Sequence, residues 1–384
     1  MIDYIEQSMI KDQNRSRILR AFREKNVIQK KELSDLLGLS ITTITTNTKQ
    51  LLDEGLIEEI GIAESTGGRK PVVFKFVKAA KISFGVDISP QKVTIIMTNL
   101  ASEIITQKKF SVNERQLGDI LDTIHRIVEE MLEQHKFQKS DCIGIGLSLP
   151  GVVDDARLIL VNAPNLYVKD YDFSHFESVL GIKVFLENEA NVSAFAELTL
   201  GSAVNIDDAV YISITEGVGC GIIANHKVTK GPFNKAGEFG HMRISEQDIY
   251  CSCGRRGCWE IFASEHAIYK HYFSLSGVVI NDLATFFLLY DAGNPLAKLT
   301  LSRYLDNLLI GIENIMLGLD SEMIIVGGEI AKYLSALGTQ VDDYLEKNHS
   351  NILSRDNKLV FSTMAPQSAV IGSSLLPIKE MFGY

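Results

Sequence analysis

The chain has few cysteines and no long apolar segment. Because no run of about 18 consecutive apolar residues is present, the sequence predicts no transmembrane helix. The first residues, Met1–Glu6, lack the basic and then apolar pattern of a signal peptide. Three of the five cysteines lie within eight residues, which favours a reducing compartment over a disulfide framework. We therefore expect a cytoplasmic protein.

The formal net charge of the chain is −10. This argues against a protein that binds nucleic acid along its whole length, since such proteins are positively charged. The charge is unevenly spread. Residues 1–80 carry 13 Lys and Arg against 11 Asp and Glu, whereas the other 304 residues carry 25 against 37. This asymmetry indicates a small nucleic-acid-binding head on an acidic body.

The N-terminal region has the apolar spacing of three short helices. The periodicity predicts helices over Asn14–Phe22, Lys30–Leu37 and Ile41–Glu54. Before the third helix, Gly38 permits a tight turn, and the Ser40 hydroxyl can accept a hydrogen bond from a free backbone N–H. This order and spacing are typical of a helix-turn-helix.

The third predicted helix carries many short polar side chains on one face. Threonine is a mediocre helix former, so helix propensity does not explain the five threonines in this segment. Hydroxyl and amide groups suit a helix in the DNA major groove, where they meet phosphates and base edges. The residues expected to contact DNA here are Ser40, Thr42, Thr43, Thr45, Thr46, Asn47 and Lys49.

A hairpin is predicted directly after this helix, with strands Leu56–Ile60 and Pro71–Val77 around a Gly/Ser/Thr-rich tip. In that position it would form a wing, and Arg69 and Lys70 near its tip would reach the DNA backbone or minor groove. We therefore predict a DNA-binding winged helix-turn-helix domain over residues 1–78. A three-helix domain that binds another protein is the alternative.

The segment from Gly237 to Glu260 contains the densest group of metal-ligating residues. Thiolate and imidazole groups suit Zn²⁺, and a structural zinc site takes four ligands in a tetrahedron. Gly254 and Gly257 would allow the backbone to turn tightly enough for the cysteines to converge. Cysteines that are reduced and buried, or paired in a disulfide, are the alternative. The candidate ligands are His241, Cys251, Cys253 and Cys258.

Two carboxylates, Glu238 and Glu260, flank this group of candidate ligands. A bound metal would fix both carboxylates in space, which indicates part of a ligand site. For either residue alone, a solvated surface acid is the alternative interpretation.

The rest of the chain, residues 79–384, alternates between strand patterns and helical periodicity. Its two halves begin alike, with an apolar strand, a polar turn and a second apolar strand. This weak repeat predicts a two-lobed α/β body with a ligand cleft between the lobes. The predicted strands are Ile82–Ile88, Lys92–Asn99, Cys142–Leu149, Ala209–Ile214, Gly221–Ala224 and Met323–Val326, and the helices are Leu117–His135, Ile280–Leu289 and Leu296–Gly318.

Five motifs are distributed through the body. They are Leu149-Pro150-Gly151, Asn162-Ala163-Pro164-Asn165-Leu166, Glu187-Asn188-Glu189-Ala190-Asn191, Gly237-Glu238-Phe239-Gly240-His241 and the segment Cys251–Glu260. With these motifs the sequence resembles the ROK family, which comprises sugar kinases and sugar-responsive repressors on the actin/hexokinase-like fold. The resemblance covers essentially the whole chain, including the winged head of the repressor branch. Within that branch the chain is most similar to repressors that respond to xylose.

The resemblance implies that His241 and the three clustered cysteines bind a structural zinc ion, and that a sugar lies beside them. Carboxylates can accept hydrogen bonds from pairs of sugar hydroxyls, and asparagine can both donate and accept. Because histidine has two ring nitrogens, His241 could bind zinc through one and a sugar hydroxyl through the other. The implied sugar-binding residues are Asn162, Asn165, Asn188, Glu189, Glu238, His241 and Glu260.

A kinase of this fold needs a glycine-rich hairpin after the aspartate of the first strand, and a carboxylate that deprotonates the sugar. Here Asp87 is followed by Ile-Ser-Pro, and Pro90 removes an N–H that could bind phosphate. Kinases of the family carry aspartate where this chain has the longer Glu189, and Glu216 in the second loop would repel phosphate. We therefore expect no catalytic residue and no enzymatic activity.

The sequence thus predicts a sugar-responsive transcriptional repressor whose winged heads bind a palindromic operator as a homodimer or a dimer of dimers. Xylose is the effector that the resemblance implies. Two alternatives remain open: an ATP-dependent sugar kinase with an appended head, and a zinc-stabilised scaffold with a vestigial cleft.

Overall fold

The computed structural model describes residues 2–62, 72–112, 116–338 and 358–383, together with the single residue Lys347. An N-terminal head is followed by two lobes, each built on a five-stranded sheet. Among the described residues, no helix is both long and apolar enough to cross a membrane.

The head consists of three helices and a three-stranded antiparallel sheet in the order β1-β3-β2. The second helix matches its predicted bounds, whereas the first begins well before the predicted Asn14. The predicted hairpin is confirmed, although its tip, including Arg69 and Lys70, lies outside the described residues. The elements of the head are α1 (Ile2–Lys25), β1 (Val27–Gln29), α2 (Lys30–Leu37), α3 (Ile41–Asp53), β2 (Ile57–Ile62) and β3 (Val72–Phe76).

The first lobe contains a sheet in the order β11-β7-β4-β5-β6, in which β11, β7 and β4 are parallel and β5 and β6 are antiparallel. A smaller antiparallel sheet, β10-β9-β8, lies beside it. These elements, with the helix that leads out of the lobe, are β4 (Ile82–Ile88), β5 (Lys92–Asn99), β6 (Ile104–Ser111), α4 (Leu117–His135), β7 (Cys142–Leu149), β8 (Val152–Asp154), β9 (Ile159–Ala163), β10 (Val168–Asp172), α5 (Ser174–Leu180), β11 (Val184–Asn188) and α6 (Glu189–Leu200).

The second lobe repeats this plan, with three parallel strands and two antiparallel strands in the order β14-β13-β12-β15-β16. The predicted internal repeat is therefore confirmed. Its elements are β12 (Ala209–Ile214), β13 (Val218–Ala224), β14 (Lys227–Thr229), α7 (Glu260–Ala263), α8 (Glu265–Ser276), α9 (Leu283–Asp291), α10 (Pro295–Leu319), β15 (Met323–Gly327), α11 (Glu329–Ala336) and β16 (Lys358–Phe361).

The C-terminal helix α12 (Ser368–Phe382) returns to the first lobe and packs on β4, β7 and α6. The contact with β7 is close enough to require glycine: a Cβ atom on Gly146 would lie 1.9 Å from the carbonyl oxygen of Ser373. At its far end α12 meets the head, where the rings of Phe76 and Phe382 contact edge to face at 6.3 Å between centroids. One continuous set of buried apolar residues therefore joins the head to the body.

Candidate ligand cleft and nucleic-acid interface

A cleft of about 890 Å³ lies between the two lobes. This volume is within the range of small-ligand pockets, roughly 300–1,000 Å³. The parallel strands of both sheets direct their carboxyl ends towards it, which is the usual position of a ligand in an open α/β sheet. The residues that line the cleft at or just after these strand ends include Ile88, Pro150, Asn188, Thr215 and Gly328.

Six of the seven sugar-binding residues expected from the sequence line this cleft: Asn165, Asn188, Glu189, Glu238, His241 and Glu260. Asn162 does not. It lies within β9, where it pairs with Lys169 and Val152, and its side chain is exposed. Asn165 reaches the cleft because the short helix that follows β9 carries it out of the strand.

The junction between β11 and α6 fixes Asn188. Its Oδ1 accepts hydrogen bonds from the backbone N–H groups of Ala190 (2.9 Å) and Asn191 (3.2 Å), so the side chain caps α6. Its Nδ2 donates to the carbonyl oxygen of Gly151 at 2.8 Å. Both ends of the Asn188 amide are therefore engaged with the backbone of the loops that form the cleft.

Glu189 is half-buried at the start of α6. Its carboxylate accepts hydrogen bonds from the hydroxyls of Ser213 (2.7 Å) and Ser193 (3.4 Å). Burial, and then the negative charge of Asp87, raise the pKa of Glu189 to about 7. Asp87 is also half-buried, accepts a hydrogen bond from Ser148 at 2.8 Å, and has a pKa that burial raises. Two half-buried carboxyl groups thus line the cleft together.

The raised pKa of Glu189 predicts that the stability of the protein depends on pH. Between the ordinary pKa of 4.5 and about 7, Glu189 stays protonated in the folded state and ionises in the unfolded state. The free energy of unfolding therefore falls as the pH rises through this window, by about 3 kcal/mol for this group. We expect Glu189→Gln to remove that loss, so that urea unfolding of the variant changes less between pH 4.5 and pH 7 than that of the unmodified protein. The control is Glu246→Gln, because Glu246 is exposed. Equal pH dependence of the unmodified protein and both variants would contradict the raised pKa of Glu189.

An ion pair that the sequence did not reveal connects the two lobes. The Lys230 ammonium, just after β14, lies 2.6 Å from Glu187 of β11 and 2.9 Å from Asp155 of the β8–β9 hairpin. Glu187 is almost buried and also accepts a hydrogen bond from the backbone N–H of Asn188. No spacing in the sequence identifies this contact, because Lys230 and Asp155 are 75 residues apart.

The four candidate metal ligands form a cluster, called here the Cys/His cluster: His241, Cys251, Cys253 and Cys258. Their ligating atoms all lie within 4.8 Å of one another. The separation is 3.5 Å between His241 Nδ1 and Cys251 Sγ, and 3.7 Å between the Sγ atoms of Cys253 and Cys258. Ligands on one tetrahedral zinc, with bonds of about 2.3 Å to sulfur and about 2.0 Å to nitrogen, lie roughly 3.5–3.8 Å apart. The cluster could therefore hold a metal ion.

The Cys/His cluster shares two residues with the wall of the cleft. His241 directs Nδ1 towards the cysteines, while its Nε2 lies 3.7 Å from the Glu238 carboxylate. Glu260, at the start of α7, lies 2.7 Å from Cys251 Sγ and 3.6 Å from His241 Nδ1. A metal in the cluster would thus fix His241 and leave its Nε2 towards the cleft, as the sequence interpretation expected.

The turn between β4 and β5 satisfies its own polar groups. The Ser89 N–H and hydroxyl both donate to the carbonyl oxygen of Lys92, at 3.0 and 2.8 Å, and the Lys92 N–H donates to the Ser89 hydroxyl at 3.3 Å. Pro90 has no N–H to offer. This turn therefore has few free donors for a phosphate group.

Three glutamates also line the cleft, Glu216, Glu265 and Glu329, together with the cations Lys92 and Lys270. Burial, and then the negative charge of Glu329, raise the pKa of Glu265 to about 7. Neighbouring carboxylates of this kind would also repel a polyphosphate. Glu265 was not identified from the sequence, since its only signal is a position shortly after Glu260.

The nucleic-acid interface expected on α3 is largely exposed. Ser40 caps the helix by accepting a hydrogen bond from the Thr43 N–H at 3.1 Å. Thr43 is half-buried. Ile41, at the start of the same helix, is also exposed. The predicted residues whose side chains are exposed on this helix are Thr42, Thr45, Thr46 and Lys49.

Asn47 was placed wrongly on this face. Its side chain is only 4% exposed, and its Nδ2 donates to the carbonyl oxygen of Thr43 at 2.9 Å. The reason is helical spacing, because Asn47 falls three residues after Ile44 and four before Leu51, both of which are in the core. Asn47 therefore faces the interior of the head.

Comparisons with known proteins agree with this architecture. The model of the ROK family matches residues 83–380, and a winged helix-turn-helix DNA-binding model matches residues 11–58. The xylose repressor of Bacillus spizizenii is 30% identical over 385 residues, which span 99% of this chain and 98% of that protein. A crystal structure of a ROK family transcriptional regulator, a homologue of the Escherichia coli MLC protein, superposes with a TM-score of 0.82 at 26% identity, covering 97% of this chain and 96% of that one. The crystal structure of a ROK family glucokinase from Streptomyces griseus, in complex with glucose and AMPPNP, superposes with a TM-score of 0.66 at 24% identity. The match covers 77% of this chain and 98% of the glucokinase, and at this identity it shows only that the fold is shared.

Proposed function

The chain belongs to the ROK family, and from this premise we propose that it is a transcriptional repressor that releases its operator when a sugar binds in the cleft. The proposal rests on one observation: the chain combines a winged head with a ligand cleft. A repressor relative matches this chain over nearly its full length. We place the domain boundary at residue 78, between β3 and β4, so that residues 1–78 bind DNA and residues 79–384 bind the sugar.

The sugar-binding wall that we propose consists of Glu238, His241 and Glu260, with Asn165 facing them from the first lobe. These groups supply the acceptors and donors that match the hydroxyls of a sugar. Asn188 and Glu189 shape the base of the cleft through their hydrogen bonds to the protein. Xylose is the effector that we propose, because repressors of that name are among the relatives.

We further propose that the metal of the Cys/His cluster is zinc in a structural role. The residues fit this ion, because three thiolates and one imidazole are a preferred ligand set, and the separations of His241 from Cys251 and of Cys253 from Cys258 match a tetrahedral site. All four positions are filled by protein side chains, so the metal would stabilise the loop without taking part in chemistry. Its effect on the sugar would be exerted through the fixed positions of His241 and Glu260.

The same cleft argues against a sugar kinase. The β4–β5 turn uses its own donors, and three glutamates in the cleft lining would repel a polyphosphate. The pKa of Glu189, about 7, is by itself compatible with a general base, so our case against catalysis rests on this turn and these glutamates.

Helix α12 connects the cleft to the head. Its first residues, Ser368 and Ala369, line the cleft, and Phe382 at its other end packs against the head. We propose that sugar binding shifts this helix and so changes the spacing of the two heads in a dimer on a palindromic operator. Since linkage is reciprocal, DNA must weaken sugar binding by the same factor, typically with ~1–3 kcal/mol of coupling.

The test is selection of a duplex from a random library, followed by titration of the selected DNA with and without sugars. We expect a palindromic site from which D-xylose releases the protein. Xylose should also raise the melting temperature of the protein. A panel that includes glucose and N-acetylglucosamine identifies the effector, and the absence of any sugar response would disprove the proposal.

Glu260→Gln should weaken sugar binding about tenfold or more while DNA binding is retained, because a hydrogen bond to a charged group is lost. Glu246→Gln is the matched control, since Glu246 is exposed and lines neither the cleft nor its rim. If Glu260→Gln also abolished DNA binding, Glu260 would have a folding role instead. ADP release in the presence of sugar and ATP would support the kinase alternative.

A further inference from the structure

A second cavity lies behind the metal-binding loop. It is a groove of about 700 Å³ between helices α8 and α10 and the loop segment 244–252, and we call it the rear groove. Helix α10 contributes residues at positions 300, 303, 304 and 307, and α8 contributes positions 266, 267, 268, 270, 271 and 274. The α10 positions follow helical spacing, so one face of α10 lines the groove. The proposed repressor function gives no role to Arg303, His271 or Thr300.

The floor of the rear groove contains a buried hydrogen-bond donor without an acceptor. The guanidinium of Arg303 lies 3.0 Å from Nε2 of His271. Because arginine can only donate, His271 Nε2 must accept, and the ring proton must be on Nδ1. Burial, and then the charge of Arg303, lower the pKa of His271, which keeps the ring neutral. His271 Nδ1 is buried and has no hydrogen-bond partner among the described residues.

Thr300 provides a second group of this kind. It is 0% exposed, lines the rear groove, and its hydroxyl has no partner within the described part of the chain. An unpaired buried polar group costs about 1–3 kcal/mol, so two such groups in one cavity indicate that a polar ligand occupies it.

The cations and unpaired donors of the rear groove define the class of ligand. Its lining contains Arg303 of α10 and Lys270 of α8, together with the carboxylates Glu216 and Glu260. His271, also on α8, adds a neutral Nδ1 donor beside Arg303. We propose that the rear groove binds a small metabolite through a compact oxyanion, a carboxylate or a phosphate group, held by Arg303, Lys270, His271 and Thr300. The oxyanion supplies the acceptors that His271 and Thr300 lack, and guanidinium groups bind such anions with two parallel hydrogen bonds.

This site has a direct route to the sugar cleft. The two cavities adjoin, because seven residues line both: Asn165, Glu216, Gly217, Ser252, Glu260, His266 and Lys270. An anion beside the Glu260 carboxylate would change its electrostatic surroundings, and so the affinity of the cleft. The rear groove would then serve as a second effector site.

The test uses the full-length protein without DNA or xylose, so that its outcome is independent of the repressor proposal. Glycerol 3-phosphate and lactate are titrated separately by calorimetry, against sodium chloride at matched ionic strength. We expect saturable binding of at least one of them with one site per chain, and the ligand that binds tells a phosphate from a carboxylate. Arg303→Gln should weaken binding about tenfold or more, since a charge-assisted hydrogen bond is lost.

Lys298→Gln is the matched control, because it removes the same charge from an exposed position of α10 outside the rear groove. Thr300→Val tests whether the unpaired hydroxyl of Thr300 contributes to anion binding. Valine keeps the shape of the side chain and removes the hydroxyl, so we expect equal or higher thermal stability together with weaker anion binding. No saturable binding of either anion would overturn the proposal. Equal affinities of Arg303→Gln and Lys298→Gln would also overturn it, since binding would then be non-specific.

Discussion

Replacement of Cys258 by serine is expected to abolish stoichiometric zinc binding and to weaken sugar binding with it. Cys258 is 0% exposed, and its Sγ lies 3.7 Å from that of Cys253, so serine would remove one corner of the tetrahedron. Loss of an outer-shell partner already costs about 10–100-fold in metal affinity, and loss of a direct ligand should cost at least as much. Structural zinc sites contribute apparent binding free energies of about 10–16 kcal/mol in small peptides, so this is the largest effect that we predict.

The loss should extend to the cleft through two side chains. Without the metal, His241 loses the partner of its Nδ1, and Glu260 remains beside thiols that are no longer held in place. Both residues belong to the proposed sugar-binding wall. DNA binding in the absence of sugar should change less, because the head has its own buried core around Phe22, Leu33 and Phe74.

The measurements are elemental analysis of zinc per chain after dialysis, and calorimetric titration with xylose. Cys142→Ser provides the control, since Cys142 is a free, partly buried cysteine outside the Cys/His cluster. We expect one zinc per chain in the unmodified protein and in the control. If Cys258→Ser lost zinc but kept full sugar affinity, the link between the metal and the sugar-binding wall would be wrong.

Local sequence signals were sufficient for much of this fold. The strands Ile82–Ile88, Lys92–Asn99 and Cys142–Leu149 and the helix Leu117–His135 have the predicted bounds. Each is a strongly patterned segment with polar or turn-forming residues at its ends, and such segments determine their own secondary structure. The winged head was predicted for the same reason, through periodicity, a turn glycine and a capping serine.

Helix α12 could not be predicted in this way. Its interior contains Gly372 and Pro377, which are the two least favourable residue types in a helix. Tertiary packing stabilises this helix instead of intrinsic propensity. Its contact with α6 is so close that a Cβ atom on Gly372 would lie 2.0 Å from the carbonyl oxygen of Val192. The glycine that weakens the isolated helix is thus the residue that allows it to pack.

The candidate site was predicted in its composition more than in its geometry. Motif resemblance brought Glu238, His241 and Glu260 together correctly in the cleft. It could not show that Asn188 uses its side chain to cap α6, or that Asn162 stays within a strand. These facts depend on register and on hydrogen bonds between distant segments, which no single motif contains.

Phe382→Ala is expected to separate sugar binding from DNA binding. Phe382 is fully buried where α12 meets the head, with Phe76 at 6.3 Å between ring centroids and the Arg23 guanidinium 5.1 Å from the ring centroid. Truncation of a buried phenylalanine costs about 3–5 kcal/mol. Because this contact lies at the junction, the loss should loosen the head on α12 and leave the lobes folded.

The expected result is sugar affinity close to that of the unmodified protein, together with weaker operator binding that xylose no longer changes. Calorimetry with xylose, and operator titrations with and without xylose, measure the two quantities on one protein sample. Leu288→Ala is the control for apolar truncation, because Leu288 is 71% exposed on α9 and should change neither quantity.

Phe382→Leu keeps an apolar side chain in the same position and should restore part of the xylose response. This variant is needed if Phe382→Ala loses sugar binding as well as operator binding. If Phe382→Leu then partly recovers both, the alanine variant is generally unfolded. If Phe382→Ala binds sugar normally and xylose still releases operator DNA by the same factor, α12 does not carry the coupling. The interlobe ion pair of Lys230 with Glu187 and Asp155 would then be the next contact to break, since it connects the two lobes directly.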